Sequence, residues 1–269
     1  MHDYSSKRII PSIYTSDGQF APTESSHILS YTEALALAQR YESEGADELI
    51  IMDVTTIAER RRNLPRFLKD LSKTLSIPFV FGGGVHTVSD VEEMLKAGAN
   101  RIYVNSAAVR NPELINKVTN KHGGNSLLVA IDTRLTFGSW KVYLNGGKSR
   151  TEIDLLNWVE MSQMRGAGEL LVSTVARGYS DRQVINDVLR SITDVSRIPV
   201  LASVGIQRKE DFVELFSETG IEGIVSAHFF LKEGENVKDL KSYLRGELIL
   251  PPSEIQSQES ESDLTNEEL

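Results

Sequence analysis

The stretch Gly45-Ala-Asp-Glu-Leu-Ile-Ile51 returns 121 residues later as Gly166-Ala-Gly-Glu-Leu-Leu-Val172. The same offset carries Ile77-Pro-Phe-Val-Phe-Gly-Gly-Gly-Val85 onto Ile198-Pro-Val-Leu-Ala-Ser-Val-Gly-Ile206, and Asp90 onto Asp211. One offset shared by separated motifs marks two homologous halves, so the fold must carry an internal two-fold repeat. Each half holds four short runs rich in Val, Ile and Leu, as strands buried on both faces require. These runs are Arg8–Ile13, Glu48–Asp53, Phe79–Gly82, Arg101–Asn105, Leu127–Asp132, Glu169–Thr174, Val200–Ser203 and Gly223–Ala227. Amphipathic segments lie between them at Thr32–Glu44, Val88–Lys96, Glu152–Arg165 and Lys209–Ser217. Asn111-Pro112-Glu113 predicts a helix start, with Asn111 as cap and proline at the first helical position. Eight strands alternating with helices predict the α/β class and a single (β/α)8 barrel over residues 1–250. A doubly wound sheet shares the alternation but does not account for the half-repeat.

Composition narrows the function classes. The chain has 269 residues and no cysteine, which excludes a disulfide framework, thiolate metal ligands and a thiol nucleophile. No apolar run reaches the roughly 18 residues of a membrane helix, and the first residues lack the apolar core of a signal peptide. A cytoplasmic location is expected. Net charge is −9, but residues 251–269 hold six acids and no base. Without them 29 basic face 32 acidic residues, so no basic stripe points to nucleic acid. That Ser/Glu-rich tail follows Pro251-Pro252 and reads as disordered.

In a (β/α)8 barrel the loops after the strands build the active site. Gly82-Gly83-Gly84 follows the third strand and Asn105-Ser106 ends the fourth; Ser203-Val204-Gly205 follows the seventh and Ser226-Ala227 ends the eighth. Small residues let backbone N–H groups approach an anion, and a following helix N-terminus favours negative charge. Two symmetric cradles predict a substrate with a phosphate at each end; the other reading is tight turns packed by small residues. Asp132, at the tip of the fifth strand, is the candidate acid–base group, unless it is a capping or ion-paired aspartate. Asp53 is a weaker candidate, and Asp17-Gly18 reads as a turn. His86 and His228 fall in loops near the cradles. The histidines have no ligand spacing, so neither a metal nor a cofactor is expected. At the opposite barrel mouth Arg8, Glu48, Arg101 and Glu169 each start a strand. They form either a functional charged ring or a stabilising ion-pair layer.

Lys7-Arg-Ile-Ile-Pro11, Asp47-Glu-Leu-Ile-Ile-Met-Asp53, Gly82-Gly-Gly-Val-His86, Val104-Asn-Ser-Ala-Ala-Val109, Val129-Ala-Ile-Asp132 and Arg165-Gly-Ala-Gly-Glu169 resemble the cyclase subunit of imidazole glycerol phosphate synthase. The resemblance runs from about Lys7 to Leu244. It implies a cytoplasmic lyase of histidine biosynthesis that takes ammonia from a glutaminase docked at the N-terminal face of the barrel. The ammonia passes a gate of four charged residues and meets a bisphosphorylated substrate at the top. The carried-over gate is Arg8, Glu48, Arg101 (lysine in the family) and Glu169. The phosphate and substrate positions are Gly84, Asn105, Ser106, Ser173, Ser203, Gly205, Ser226 and Ala227. Asp132 matches the catalytic aspartate of strand five.

The departures cluster at the catalytic face. Tyr14 stands where the family has its strand-one catalytic aspartate, and a phenol, with a pKa near 10, is no general base at neutral pH. Pro22 or Thr23 stands near the place of a family lysine. The loop after the sixth strand is shortened to Ala176–Asp181, and Val204 replaces a glycine of the second cradle, where its side chain is expected to crowd a phosphate. The sequence therefore reads as a divergent paralogue. The alternatives are an amidotransferase synthase subunit acting in surface-polysaccharide sugar amidation, or a non-catalytic phosphate-binding barrel that activates a glutaminase. An isomerase acting alone leaves the charged ring without a purpose.

Overall fold

The computed structural model describes residues 7–23, 27–55, 64–174 and 182–248. Eleven strands occur among them: β1 (Arg8–Ser16), β2 (Gln19–Ala21), β3 (Leu49–Asp53), β4 (Phe79–Gly82), β5 (Arg101–Val104), β6 (Leu127–Thr136), β7 (Ser139–Leu144), β8 (Ser149–Asp154), β9 (Glu169–Thr174), β10 (Val200–Ser203) and β11 (Gly223–Ser226). Eight of them pair in parallel in the order β5-β4-β3-β1-β11-β10-β9-β6, and β5 pairs with β6 to close the ring. The helices are α1 (Tyr31–Ser43), α2 (Leu64–Thr74), α3 (Val88–Lys96), α4 (Ser106–Arg110), α5 (Glu113–His122), α6 (Leu155–Met164), α7 (Arg182–Val195), α8 (Lys209–Glu218) and α9 (Val237–Leu248). This is the (β/α)8 barrel that the repeat predicts. The tail from Pro251 and the shortened loop Ala176–Asp181 lie outside the described residues.

Strand alternation divides the core into two. Ile9, Ile51, Phe79, Phe81 and Leu170 face the helices in one outer core, where Phe212 of α8 joins them. Ile10, Ile50, Val80, Leu128, Ala130, Leu171, Leu201 and Val225 fill the lumen. Inward positions continue along each strand at period two. Thus Arg8, Ile10, Ser12 and Tyr14 share one face of β1, and Arg101 and Tyr103 share one line on β5, with Asn105 just past its end.

The repeat is also geometric. The Asp90 carboxylate accepts the His86 and Thr87 N–H groups, both at 2.8 Å, at the start of α3. Its mate Asp211 accepts Gln207 N–H at 2.7 Å and Arg208 N–H at 3.1 Å at the start of α8. A carboxylate in the first helical turn satisfies orphan amides and offsets the helix dipole, which explains why both halves carry aspartate there.

Two expectations need correction. Residues 152–154 end β8 and are not helical; α6 begins at Leu155, with Asp154 as its cap accepting Leu156 N–H at 3.1 Å. The cap of α5 falls at Pro112, already helical at φ −59° and ψ −23°, with no side-chain cap bond from Asn111.

Candidate active site

At the N-terminal mouth the four predicted residues meet in a closed ring. Arg101 binds Glu48 through Nη2 at 2.6 Å and Glu169 through Nη1 at 2.6 Å. Arg8 binds Glu48 through Nη1 at 3.2 Å, and its Nη2 donates to Glu169. Both glutamates are almost fully buried, whereas the arginines keep about a fifth of their side chains exposed. Burial by itself lowers the affinity of Arg101 for its proton, but Glu48 and Glu169 outweigh it and hold the guanidinium charged. Two guanidiniums and two carboxylates leave the ring neutral, as a buried charge cluster must be.

At the other mouth Asp132 projects inward from β6 and is 8% exposed. Burial pushes its carboxyl above the ordinary range, opposed by the Asn105 amide and the backbone N–H groups of Gly147 and Gly146. Asn105 Nδ2 donates to Asp132 Oδ2 at 3.0 Å, while the side-chain oxygen Oδ1 of Asn105 is buried with no partner among the described residues. Gly146 and Gly147 form the tip of the β7–β8 hairpin, an excursion outside the barrel that the sequence reading missed. Asn145 at the same tip donates its N–H to Ser106 Oγ at 2.9 Å and accepts from Arg110 at 2.7 Å. The hairpin is thereby fastened over the fourth and fifth strand ends, and the Ser106 hydroxyl is already engaged by it.

The remaining predicted residues line the same mouth. Ser173 pairs in register with Asp132 on one side and Ser203 on the other. Ser226 pairs with Pro11 in the outward register, so only its backbone can face the mouth; Ala227 follows as a buried residue. Gly205 borders open space, and Gly84 takes a left-handed backbone at φ 60°. His86 and His228 are exposed. Val204 corrects an expectation: it joins the outer core with Phe212 and Phe229, so its side chain does not crowd the cradle. Pro22 and Thr23 are both buried. Asp53 points outward and accepts from the backbone and hydroxyl of Thr55, which gives it a turn-holding role. Asp17 at φ 50° forms the β1–β2 turn with Gly18, as predicted.

Tyr14 holds the inward position at the end of β1, in register with Met52. Sequence reasoning missed a second inward phenol, Tyr103, although its spacing of two from both Arg101 and Asn105 places it in the lumen. Its ring lies against Gly82, where any Cβ would overlap it. Tyr14, Asp132 and Asp53 all act electrostatically on its hydroxyl, and burial raises its pKa beyond that of a free phenol.

Fold and mouth together define a half-repeat (β/α)8 barrel with a buried inward carboxylate at one mouth, among symmetry-related strand ends built of glycine and serine, and a closed charge ring at the other. Residues 8–235 match the family model described as histidine biosynthesis protein, and the chain belongs to that family. It is 39% identical to "Imidazole glycerol phosphate synthase subunit HisF" of Natranaerobius thermophilus, over 88% of this chain and 95% of the relative. The subunits of the same name from Flavobacterium psychrophilum and Bacteroides thetaiotaomicron are each 36% identical, over 90% of this chain and 97% and 96% of theirs. The chain is thus similar to an imidazole glycerol phosphate synthase cyclase subunit along its whole barrel. Among the described residues no helix is long and apolar enough to cross a membrane.

Proposed function

We propose that this protein is a synthase subunit of the cyclase type, using ammonia from a glutaminase partner on a bisphosphorylated substrate. The observation that carries the reading is that the closed ring of Arg8, Glu48, Arg101 and Glu169 and the Asp132 carboxylate stand at opposite ends of the same inward strand faces, with an apolar cluster between them. In this reading the partner docks on the N-terminal face and opens the ring, and neutral ammonia crosses the apolar lumen. Because guanidinium clamps both glutamates where lysine would hold a single point of charge, the ring depends on that docking to open. Gly84, Asn105 and Ser106 serve one phosphate, and Ser173, Ser203, Gly205, Ser226 and Ala227 the other.

Asp132 carries the proton transfers. A carboxyl raised by burial sits closer to neutrality than a free one and can both accept and return a proton. Tyr14 is a hydrogen-bond donor where the family has a second acid. That substitution favours a second reading, a paralogous subunit that aminates a phosphorylated sugar, or a barrel that binds phosphates and activates the glutaminase without turnover.

Ammonia-dependent turnover of the bisphosphorylated ribulosyl substrate, measured beside Tyr14→Asp, separates these. Turnover by the unmodified protein means that Asp132 suffices. Turnover only in Tyr14→Asp means a cyclase that has lost one acid. Turnover in neither sinks the histidine-pathway assignment and leaves the second reading.

A further inference from the structure

Tyr103 carries a hydroxyl for which the fold gives no structural task. Its ring is seated: it packs on the lumen cluster and against the bare Cα of Gly82, so the phenol cannot swing toward β4. Its hydroxyl has no hydrogen-bond partner among the described residues, and the residue keeps part of its surface open although both strands beside it are buried. Two residues further along the chain, the side-chain oxygen Oδ1 of Asn105 is a buried acceptor with no donor among the described residues. Asn105 in turn is bonded to Asp132. An unused donor and an unused acceptor, two residues apart at the end of β5, one under the electrostatic influence of the carboxylate and the other on the side chain bonded to it, match one ligand group that accepts and donates, such as a hydroxyl or an amide. Leaving such groups unpaired is unfavourable, and a bound ligand that pairs with them recovers that cost.

We propose that Tyr103 is a substrate-contacting residue that determines specificity: its O–H donates to the hydroxyl or amide of the substrate held over Asp132, and its ring on Gly82 limits the width of the site there. The inference rests on the bisphosphate reading above and deepens it. It also explains why the mouth tolerates Tyr14: a second protonated phenol supplies a donor beside the single carboxylate.

The test is calorimetric binding of the bisphosphorylated ribulosyl substrate and, separately, of inorganic phosphate, to the full chain and to Tyr103→Phe. The ring is kept, so the melting temperature should not move. Expected is about tenfold weaker binding of the bisphosphate, the effect of one lost hydrogen bond, with phosphate affinity unchanged. Equal bisphosphate affinity in both proteins overturns the role of Tyr103 and leaves the bisphosphate reading standing. A loss in Tyr14→Phe but not in Tyr103→Phe overturns it as well. Binding of phosphate but not of the bisphosphate by the unmodified protein sinks the bisphosphate reading and this inference together.

Discussion

Asn105 Nδ2 donates to Asp132 Oδ2 at 3.0 Å, tying the end of the fourth barrel strand to the buried carboxylate of the fifth. Together with the Gly146 and Gly147 amides, this bond is what keeps Asp132 from rising further. Asn105→Ala should therefore shift the acid limb of the kcat/KM profile upward, because one hydrogen bond to the charged form is lost. An unmoved acid limb would mean that Asp132 is not the group that titrates.

Asp132→Asn should separate stability from activity. The folded carboxyl titrates above its unfolded value of about 4, so the native state binds more protons between those two points. The contribution of Asp132 to stability is thus full below about pH 4 and is lost as pH rises through the folded pKa. Asp132→Asn should melt higher than the unmodified protein at pH 7, with the difference gone near pH 3.5. Turnover should fall at least about 100-fold. Melting curves at the two pH values check the sign.

The ring at the other mouth should respond in proportion to what is left unpaired. Glu169→Ala strips one partner from both Arg8 and Arg101 and leaves two guanidiniums under-compensated in a buried layer. It should cost about 3 kcal/mol of stability in urea denaturation. Arg101→Lys keeps the charge but loses the two-handed bridge, and should cost about 1 kcal/mol. Equal effects would show that the bridging geometry does not matter.

Gly82 and Tyr103 should prove energetically coupled. A Cβ on Gly82 overlaps the Tyr103 ring, so Gly82→Ala must displace it, at about 1–3 kcal/mol. In Tyr103→Ser the same alanine has room. A double-mutant cycle should give a coupling of about 1–2 kcal/mol, against near zero for independent sites. At Gly83 the neighbour is the Asp53 backbone and φ is +106°, so Gly83→Ala has no such rescue and should not yield folded protein.

The legible parts of the sequence were those dictated by a repeating physical demand. Strands buried on both faces leave continuous apolar runs, and the shared offset of 121 residues exposed the two halves. Asp132, Arg8, Glu48, Arg101 and Glu169 were legible because they interrupt those runs at their ends. The β7–β8 hairpin was not: β7 does not read as a continuous buried run, β8 is polar but for Ile153, and Glu152–Asp154 also suited a helix start. Val204 misled because a position beside a cradle does not say which way its side chain turns.

By itself the sequence determined the eight-stranded repeat, the acid at one strand tip and the four charges at the strand starts, because chain periodicity and residue type suffice for each. The tertiary structure alone decided that the four charges close into a neutral ring, that the hairpin amides reach Asp132, and that a second phenol stands beside Tyr14. The ring contacts join residues 40 to 161 positions apart. Only the closure of the barrel brings such positions within hydrogen-bonding range.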